Sequence, residues 1–377
     1  FGIPVISPDM EVPGFYSLKV TAALRYDGYS DFGNTWNPKV QIRWQPVDET
    51  LTLRGSYSTS FRPPTFGDLY LSDQESYPEL RNPVRQALED ADPSFDDSAF
   101  PIFEQIRTIY SGNADLEPET ADNYTAGFVY SPPFAKRLSL SVDWFKIDQE
   151  NIPGSVDQFI LDQNFAGSDP TLPIAQRPLD PNAPYADLVV YDPNTFAYNT
   201  LFAPALNLSR RTVEGIDFRV TYELPTDNIG TFTFLWDLSY YYKFEQENIP
   251  GEGMSDRLGD FIDPTQSFGL GSLPRVKSSI GGYWNYHNFE FGATAYYIHS
   301  YLDDKAALGY TREIDSLWTV DLQASYNFPK DLRVTVGVQN VADTEPPLVV
   351  AAFADNYDRD THSLIGRFVY GQITKKF

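Results

Sequence analysis

The chain of 377 residues has no cysteine, three histidines and two methionines. Without thiols there is no disulfide framework and no thiolate metal site. Basic charge is scarce: 28 Lys and Arg stand against 52 Asp and Glu, a formal net charge of −24. A chain this acidic is repelled by phosphate and is not a nucleic-acid binder. Long apolar runs are missing as well. Mean hydropathy is −0.36, and no window approaches the roughly 18 consecutive apolar residues of a spanning helix. That excludes a helical membrane protein. It leaves open a barrel, whose strands show lipid only every second residue.

What the chain has in quantity is aromatic residues. They make up 15% of it, led by 27 Phe and 25 Tyr, residue types that suit both strands and a membrane interface. They fall in runs of strict period two. Trp318, Val320, Leu322, Ala324, Tyr326 and Phe328 alternate with Thr319, Asp321, Gln323, Ser325 and Asn327. Phe232, Phe234, Trp236, Leu238, Tyr240, Tyr242 and Phe244 alternate with Thr231, Thr233, Asp237, Ser239 and Lys243. About twelve such strands are expected, at 15–28, 35–45, 49–61, 119–131, 137–150, 211–224, 230–245, 274–286, 288–300, 313–328, 331–341 and 362–377. Their length fits the roughly 9–11 residues that a tilted strand needs to cross a bilayer.

The connections alternate in length. One set is short: 46–48, 132–136, 225–229, 287 and 329–330. The other is mostly long: 62–118, 151–210, 246–273, 301–312 and 342–361. Residue parity and loop parity are independent, and together they predict an all-β, antiparallel up-and-down transmembrane β-barrel with its long loops on the outer side. Tyr240, Tyr241, Tyr242 and Phe244, then Tyr296, Tyr297 and Tyr301, and on the other side Trp284 and Tyr286, fall at strand ends where aromatic girdles belong. Inside the long loops, Asn82–Ala91 and Phe100–Tyr110 are expected as short helices, the first capped by Asn82 with Pro83 following.

No catalytic constellation stands out. His299 and His362 fall near the long-loop end and could share a rim in an outer-membrane hydrolase, but scattered interfacial histidines explain them more simply. Asp92, Asp96 and Asp97, and again Asp355, Asp358 and Asp360, are carboxylate runs that do not follow the spacing of a calcium loop. They read as solvated acidic surface. No metal and no cofactor is expected. Tyr185, Tyr191, Phe196, Tyr198 and Phe202 are the candidate ligand-binding residues, since rings in an outer loop stack on flat ligands. Ordinary loop packing is the bland alternative for each.

Five segments, in order, resemble the TonB-dependent outer-membrane receptors. They are Ser56 to Tyr70 (SYSTSFRPPTFGDLY), Gly112 to Tyr124 (GNADLEPETADNY), Val213 to Asp217 (VEGID), Val338 to Pro347 (VQNVADTEPP) and Gly366 to Phe377. The resemblance implies a 22-stranded barrel with a plugged lumen, of which residues 1–377 supply the C-terminal part, with the plug and first strands absent. It implies an importer, not an enzyme: a receptor for a scarce large ligand, a ferric siderophore first and a glycan or other nutrient second, driven by TonB through the plug. It further implies bacterial outer-membrane lipid as surroundings, barrel-assembly machinery reading the terminal Phe377, and, as in some related importers, a surface lipoprotein over the loops. A passive porin or structural barrel is the alternative, and a hydrolase a more distant one.

Overall fold

A computed structural model describes residues 2–376, apart from 31–32, 93, 96–97, 155–156, 252, 263–270, 305–307 and 353–354. Its frame is one antiparallel sheet in which each long strand pairs with the next in sequence. The strands are β1 (Gly2–Ile6), β2 (Ser17–Tyr29), β3 (Gly33–Gln45), β4 (Leu51–Arg62), β5 (Glu119–Tyr130), β6 (Leu138–Gly154), β7 (Leu206–Thr226), β8 (Gly230–Glu247), β9 (Val276–Tyr286), β10 (Phe289–Ile298), β11 (Leu317–Phe328), β12 (Leu332–Gln339) and β13 (Phe368–Lys375). Residues 255–256 add a short rung to the end of β8. All twelve expected strands are present. The structure adds β1, a short strand broken by Pro4 that pairs with the start of β2 and that the alternation does not predict. β13 starts six residues later than expected, so His362 belongs to a loop.

Because directly paired residues share a face, the registers sort the wall into two surfaces. One row runs Leu51, Tyr130, Leu140, Val220, Trp236, Ile280, Ala295 and Val320. On the opposite face a row runs Lys19, Arg43, Arg54, Gly127, Asp143, Asp217, Ser239 and Lys277. The apolar face is uncovered: Leu24 is 62%, Trp36 61% and Ile373 74% exposed.

Aromatic pairs border this face at both ends. Towards the short turns lie Phe15 and Trp44 at 5.3 Å, and Phe289 and Tyr326 at 4.7 Å. Here two indoles donate to turn carbonyls, Trp44 Nε1 to Gly14 O at 3.1 Å and Trp284 Nε1 to Ile229 O at 2.6 Å. Towards the long loops lie Tyr26 and Trp36 at 4.6 Å, Tyr57 and Tyr124 at 5.1 Å, and Tyr297 and Trp318 at 4.6 Å. From Phe289 to Tyr297 on β10 is about 27 Å of strand, which tilting shortens towards the roughly 25 Å apolar band of a membrane barrel.

One expectation of parity fails for a local reason. Glu214 pairs with Lys243 but Gly215 pairs with Tyr241, so Tyr242 is the extra residue of a β-bulge. Past a bulge every side chain changes face. Phe244 therefore lies on the polar face with Val213, and Lys243 on the apolar one with Glu214. Tyr241 and Tyr296 also leave the girdle: by register they share the polar face with Gly215 and Thr319.

The long loops build structure of their own. Residues 189–192, 197–204, 108–111 and 74–76 form a four-stranded sheet, within which 108–111 and 201–204 run parallel. The stretch Phe100–Tyr110, expected as a helix, is instead two short strands, 103–105 and 108–111. Pro101 and the β-branched Ile106, Thr108 and Ile109 disfavour a helix, and 201–204 offers a pairing partner. Three α-helices form among the described residues: α1 (Phe66–Tyr70), α2 (Pro83–Ala91) and α3 (Asp157–Ala166). α2 starts as expected, with Asn82 accepting from Val84 N and Arg85 N at 3.0 and 3.2 Å. α1 carries a capping box between Thr65 and Asp68.

Candidate functional site

Two surfaces present chemistry: the polar face of the wall and the loops above it. On the wall, the Arg54 guanidinium on β4 reaches across β5 to Asp143 on β6, with Nε 2.7 Å from Oδ1. The pair meets over Gly127, where a Cβ would lie 2.2 Å from Asp143 Oδ1. Glycine is thus required by close approach. Ser141 Oγ also donates to Asp143, at 2.7 Å. Beside it Arg219 pairs with Asp237, and Ser239 donates to Asp217 at 2.6 Å. These residues line a cleft of about 370 Å³. A face so rich in paired charge is built against water or another polar surface, since each group would be costly against hydrocarbon.

The loops 62–118 and 151–210 share one apolar core made of Leu80, Val84, Ile106, Ile160, Leu161, Tyr191, Tyr198, Leu201 and Ala203. An ion pair links α2 to the strand at 103–105, from buried Arg85 Nη1 to half-buried Glu104 Oε2 at 2.8 Å. Arg85 also donates to Pro101 O and Thr195 O, at 2.8 and 3.1 Å, and Asn82 Nδ2 donates to Glu104 Oε1 at 2.7 Å.

The candidate aromatic residues fall in and around this core. Tyr191 and Tyr198 are 8% and 3% exposed, their rings 5.0 Å apart. Burial holds both phenols well above their ordinary range, and neither hydroxyl has a hydrogen-bond partner among the described residues. Tyr185 packs edge-on against Phe159 at 5.8 Å, and Phe196 against Phe100 at 5.3 Å. Four of the five rings are thus brought together, facing protein. Phe202, 38% exposed, is the one that presents itself to solvent.

A second loop cluster joins 246–273, 301–312 and 342–361. Its apolar part is Phe261, Tyr301, Ile314, Val349 and Ala352. Asp303 is buried and accepts from Arg312 Nη1 at 2.9 Å and from Val350 N and Ala351 N at 2.9 and 3.2 Å. Burial alone would raise the Asp358 carboxyl, but bonds from Ser272, Thr361 and Asp360 outweigh it and hold the group below its usual range. His362 Nε2 meets Tyr301 Oη at 3.0 Å. Burial lowers the His362 pKa, the Asp358 charge opposing this and the Lys277 charge adding to it.

His299 bonds a different tyrosine, Nδ1 to Tyr297 Oη at 2.8 Å. Among the described residues neither imidazole ring bonds a Ser or Asp side chain. No three His, Asp or Glu gather where they would hold a metal ion among the described residues; Asp96 and Asp97 lie outside those residues, as does Phe377.

Residues 14–341 match the family described as TonB dependent receptor-like, beta-barrel. The chain belongs to this family. Its barrels are outer-membrane proteins, and the family and its relatives are receptors and transporters, not enzymes. A probable TonB-dependent siderophore receptor, PirA, of Acinetobacter baumannii is 25% identical over 135 residues, covering 36% of this chain and 15% of that protein. The crystal structure of the siderophore receptor PirA from the same organism superposes with a TM-score of 0.58 at 15% identity, over 94% of this chain and 43% of that one. A variant of the ferric enterobactin receptor of Pseudomonas aeruginosa, solved with enterobactin, gives 0.62 at 16% identity, over 96% and 43%. At these identities the solved structures establish a shared fold. The chain spans under half the length of these receptors.

The apolar residues of the loop core are not among the expected site residues. Their signal in the sequence is that Leu80, Val84, Ile106, Ile160, Leu161 and Leu201 are large aliphatics inside the long connections, and such residues need somewhere to be buried.

Proposed function

We propose that this chain forms the wall and outer loops of a TonB-dependent receptor that captures a ferric siderophore outside the cell and imports it. The observation that carries this reading is the family match over residues 14–341. The ligand class comes from the relatives, a probable siderophore receptor and a receptor solved with enterobactin. In this reading the apolar face of β2–β13 is solvated by outer-membrane lipid and the polar face lines the lumen. A plug domain sits against that polar face and couples to TonB. The loop core holds the mouth rigid, and Phe202 offers an exposed ring for a flat ligand, while Tyr185, Tyr191, Phe196 and Tyr198 support it from behind. The barrel-assembly machinery reads β13 together with Phe377, and a surface lipoprotein over the loops is a further partner.

Deleting the gene for the complete receptor and supplying single ferric siderophores under iron limitation tests this. The expected result is loss of growth and of radio-iron uptake on one of them, with the same loss when TonB is removed. Solute passage through the purified receptor that needs neither TonB nor a protonmotive force would instead identify a passive pore.

A further inference from the structure

The polar face of the wall changes character part-way round. From β4 to β8 it is charged at mid-strand, by Arg54, Asp143, Asp217, Arg219 and Asp237. From β9 to β13 a single register row runs Tyr283, Gly292, Gln323, Gly337 and Tyr370. No member of this row is charged. On this side charge stands towards the strand ends: Lys277 and Asp321 nearer the long loops, and the Glu290–Arg333 ion pair nearer the short turns.

The two tyrosines of the row lie down on the wall, where strand side chains ordinarily stand away from the sheet. A Cβ on Gly337 would be 2.3 Å from Tyr370 Cζ and 2.4 Å from its Oη. A Cβ on Gly292 would be 2.9 Å from Tyr283 Cδ1. Tyr283 thus leans from β9 onto β10, and Tyr370 from β13 onto β12, each ring seated on a glycine of the neighbouring strand. Tyr283 Oη is fixed there by Thr294 Oγ1 at 3.0 Å. On the apolar face Gly282 and Gly371 have nothing within 4 Å, so the seating belongs to the polar face and not to strand glycines in general. The charged side has one such seat, Phe145 over Gly215, near the bulge and above the ion pairs.

Laid rings and bare glycines make β10–β12 a low, uncharged trough with Gln323 at its centre. A large solute passing a wall needs clearance, and it needs contacts weak enough to release it. The charged side supplies neither: the Arg219 and Arg54 side chains stand 68% and 47% exposed, and they suit a polar partner that stays. We propose that the trough, floored by Gly292, Gln323 and Gly337 and edged by Tyr283 and Tyr370, is the side of the wall along which the imported chelate passes the plug. This rests on the import reading above and deepens it by giving the route.

The test uses the complete receptor in cells under iron limitation, with radio-iron-loaded ferric tris-catecholate, ferric tris-hydroxamate and ferric citrate as probes. Uptake is measured in cells that hold TonB, and binding in cells that lack it. Gln323→Trp overfills the trough and is expected to lower uptake about tenfold while binding is kept. Thr221→Trp, which puts the same bulk beside Arg219 on the charged side, should lower it far less. Gly337→Ala lifts the Tyr370 ring and should lower uptake by less than Gln323→Trp does; adding Tyr370→Ala should recover that loss. Gly371→Ala, on the apolar face, should change nothing. Unchanged uptake in Gln323→Trp overturns the route, and so does an equal loss in Thr221→Trp. A loss of binding as large as the loss of uptake also overturns it, since the row would then belong to capture. A Gly337→Ala loss that Tyr370→Ala does not recover overturns the role of the seated ring. If the unaltered receptor takes up none of the three chelates, the import reading fails and the route falls with it.

Discussion

The wall and the loop core treat the same kind of residue in opposite ways. On the wall, Leu24, Trp36, Ile280 and Ile373 are 62%, 61%, 49% and 74% exposed. In the loops, Val84, Ile160, Leu161 and Leu201 are each 0% exposed. In water the first arrangement would waste about 25 cal/mol for every Å² of apolar surface left out. Beside lipid it costs nothing, because hydrocarbon is as good a solvent for isoleucine as a protein core. The loops stand in water and must bury their apolar residues against one another. The difference is what two solvents acting on one chain would produce, and on the proposed reading the upper aromatic pairs, Tyr57 with Tyr124 and Tyr297 with Trp318, mark the boundary between them.

Breaking the loop side should be the more damaging. Arg85→Ala leaves the half-buried Glu104 carboxylate without its counter-charge, still bonded to Asn82, and about 3–5 kcal/mol of loop-core stability is expected to go. Protection of 62–118 against protease would register this while the wall stays folded in detergent. Ile160→Ala should cost about 2–5 kcal/mol through the cavity it leaves. The same substitution at Ile280, where lipid closes over the gap, should cost well under that by denaturant titration in bilayers. Equal costs at the two sites would break the comparison. Ile280→Arg sharpens it from the other direction: about 2–4 kcal/mol is expected at mid-wall, against almost nothing for an exposed residue in water. Thr65→Ala removes half of the capping box of α1 and should cost about 1 kcal/mol, seen as faster amide exchange over 65–71.

The smallest effect is a pH dependence confined to the second loop cluster. The folded pKa of His362 is below its unfolded value of roughly 6.5, so the unfolded loop takes up the proton first. Stability should be level above that value and fall as pH drops through it towards the folded pKa. His362→Gln should flatten the response, measured by amide exchange over 299–316.

The wall was legible because its signal is repeated: the same two-residue period returns in every long strand, and loop length checks it independently. What escaped was whatever depends on one residue. A single inserted position at Tyr242 moved Phe244 and Gln246 to the polar face, and nothing in the hydrophobic pattern marks it. β1 is too short, with Pro4 in its middle, to show a period at all. The region 100–110 was misread because a short apolar run carries no decisive period, and its state is set by a partner about a hundred residues away in 201–204. Four of the loop aromatics gather in one core, and which rings face outward depends on the tertiary packing of α2 and α3.

These 377 residues hold no cysteine, which, once any cysteine elsewhere in the complete receptor is replaced, allows the most direct test of the two-solvent account. Single cysteines placed one at a time from Trp318 to Phe328, spin-labelled in the complete receptor in bilayers, report accessibility to oxygen and to a water-soluble nickel chelate. The account predicts a two-residue rhythm, with oxygen favoured at Val320, Leu322 and Ala324 and not at Thr319, Asp321 and Gln323. Uniform access of the nickel chelate at the first three positions would contradict it.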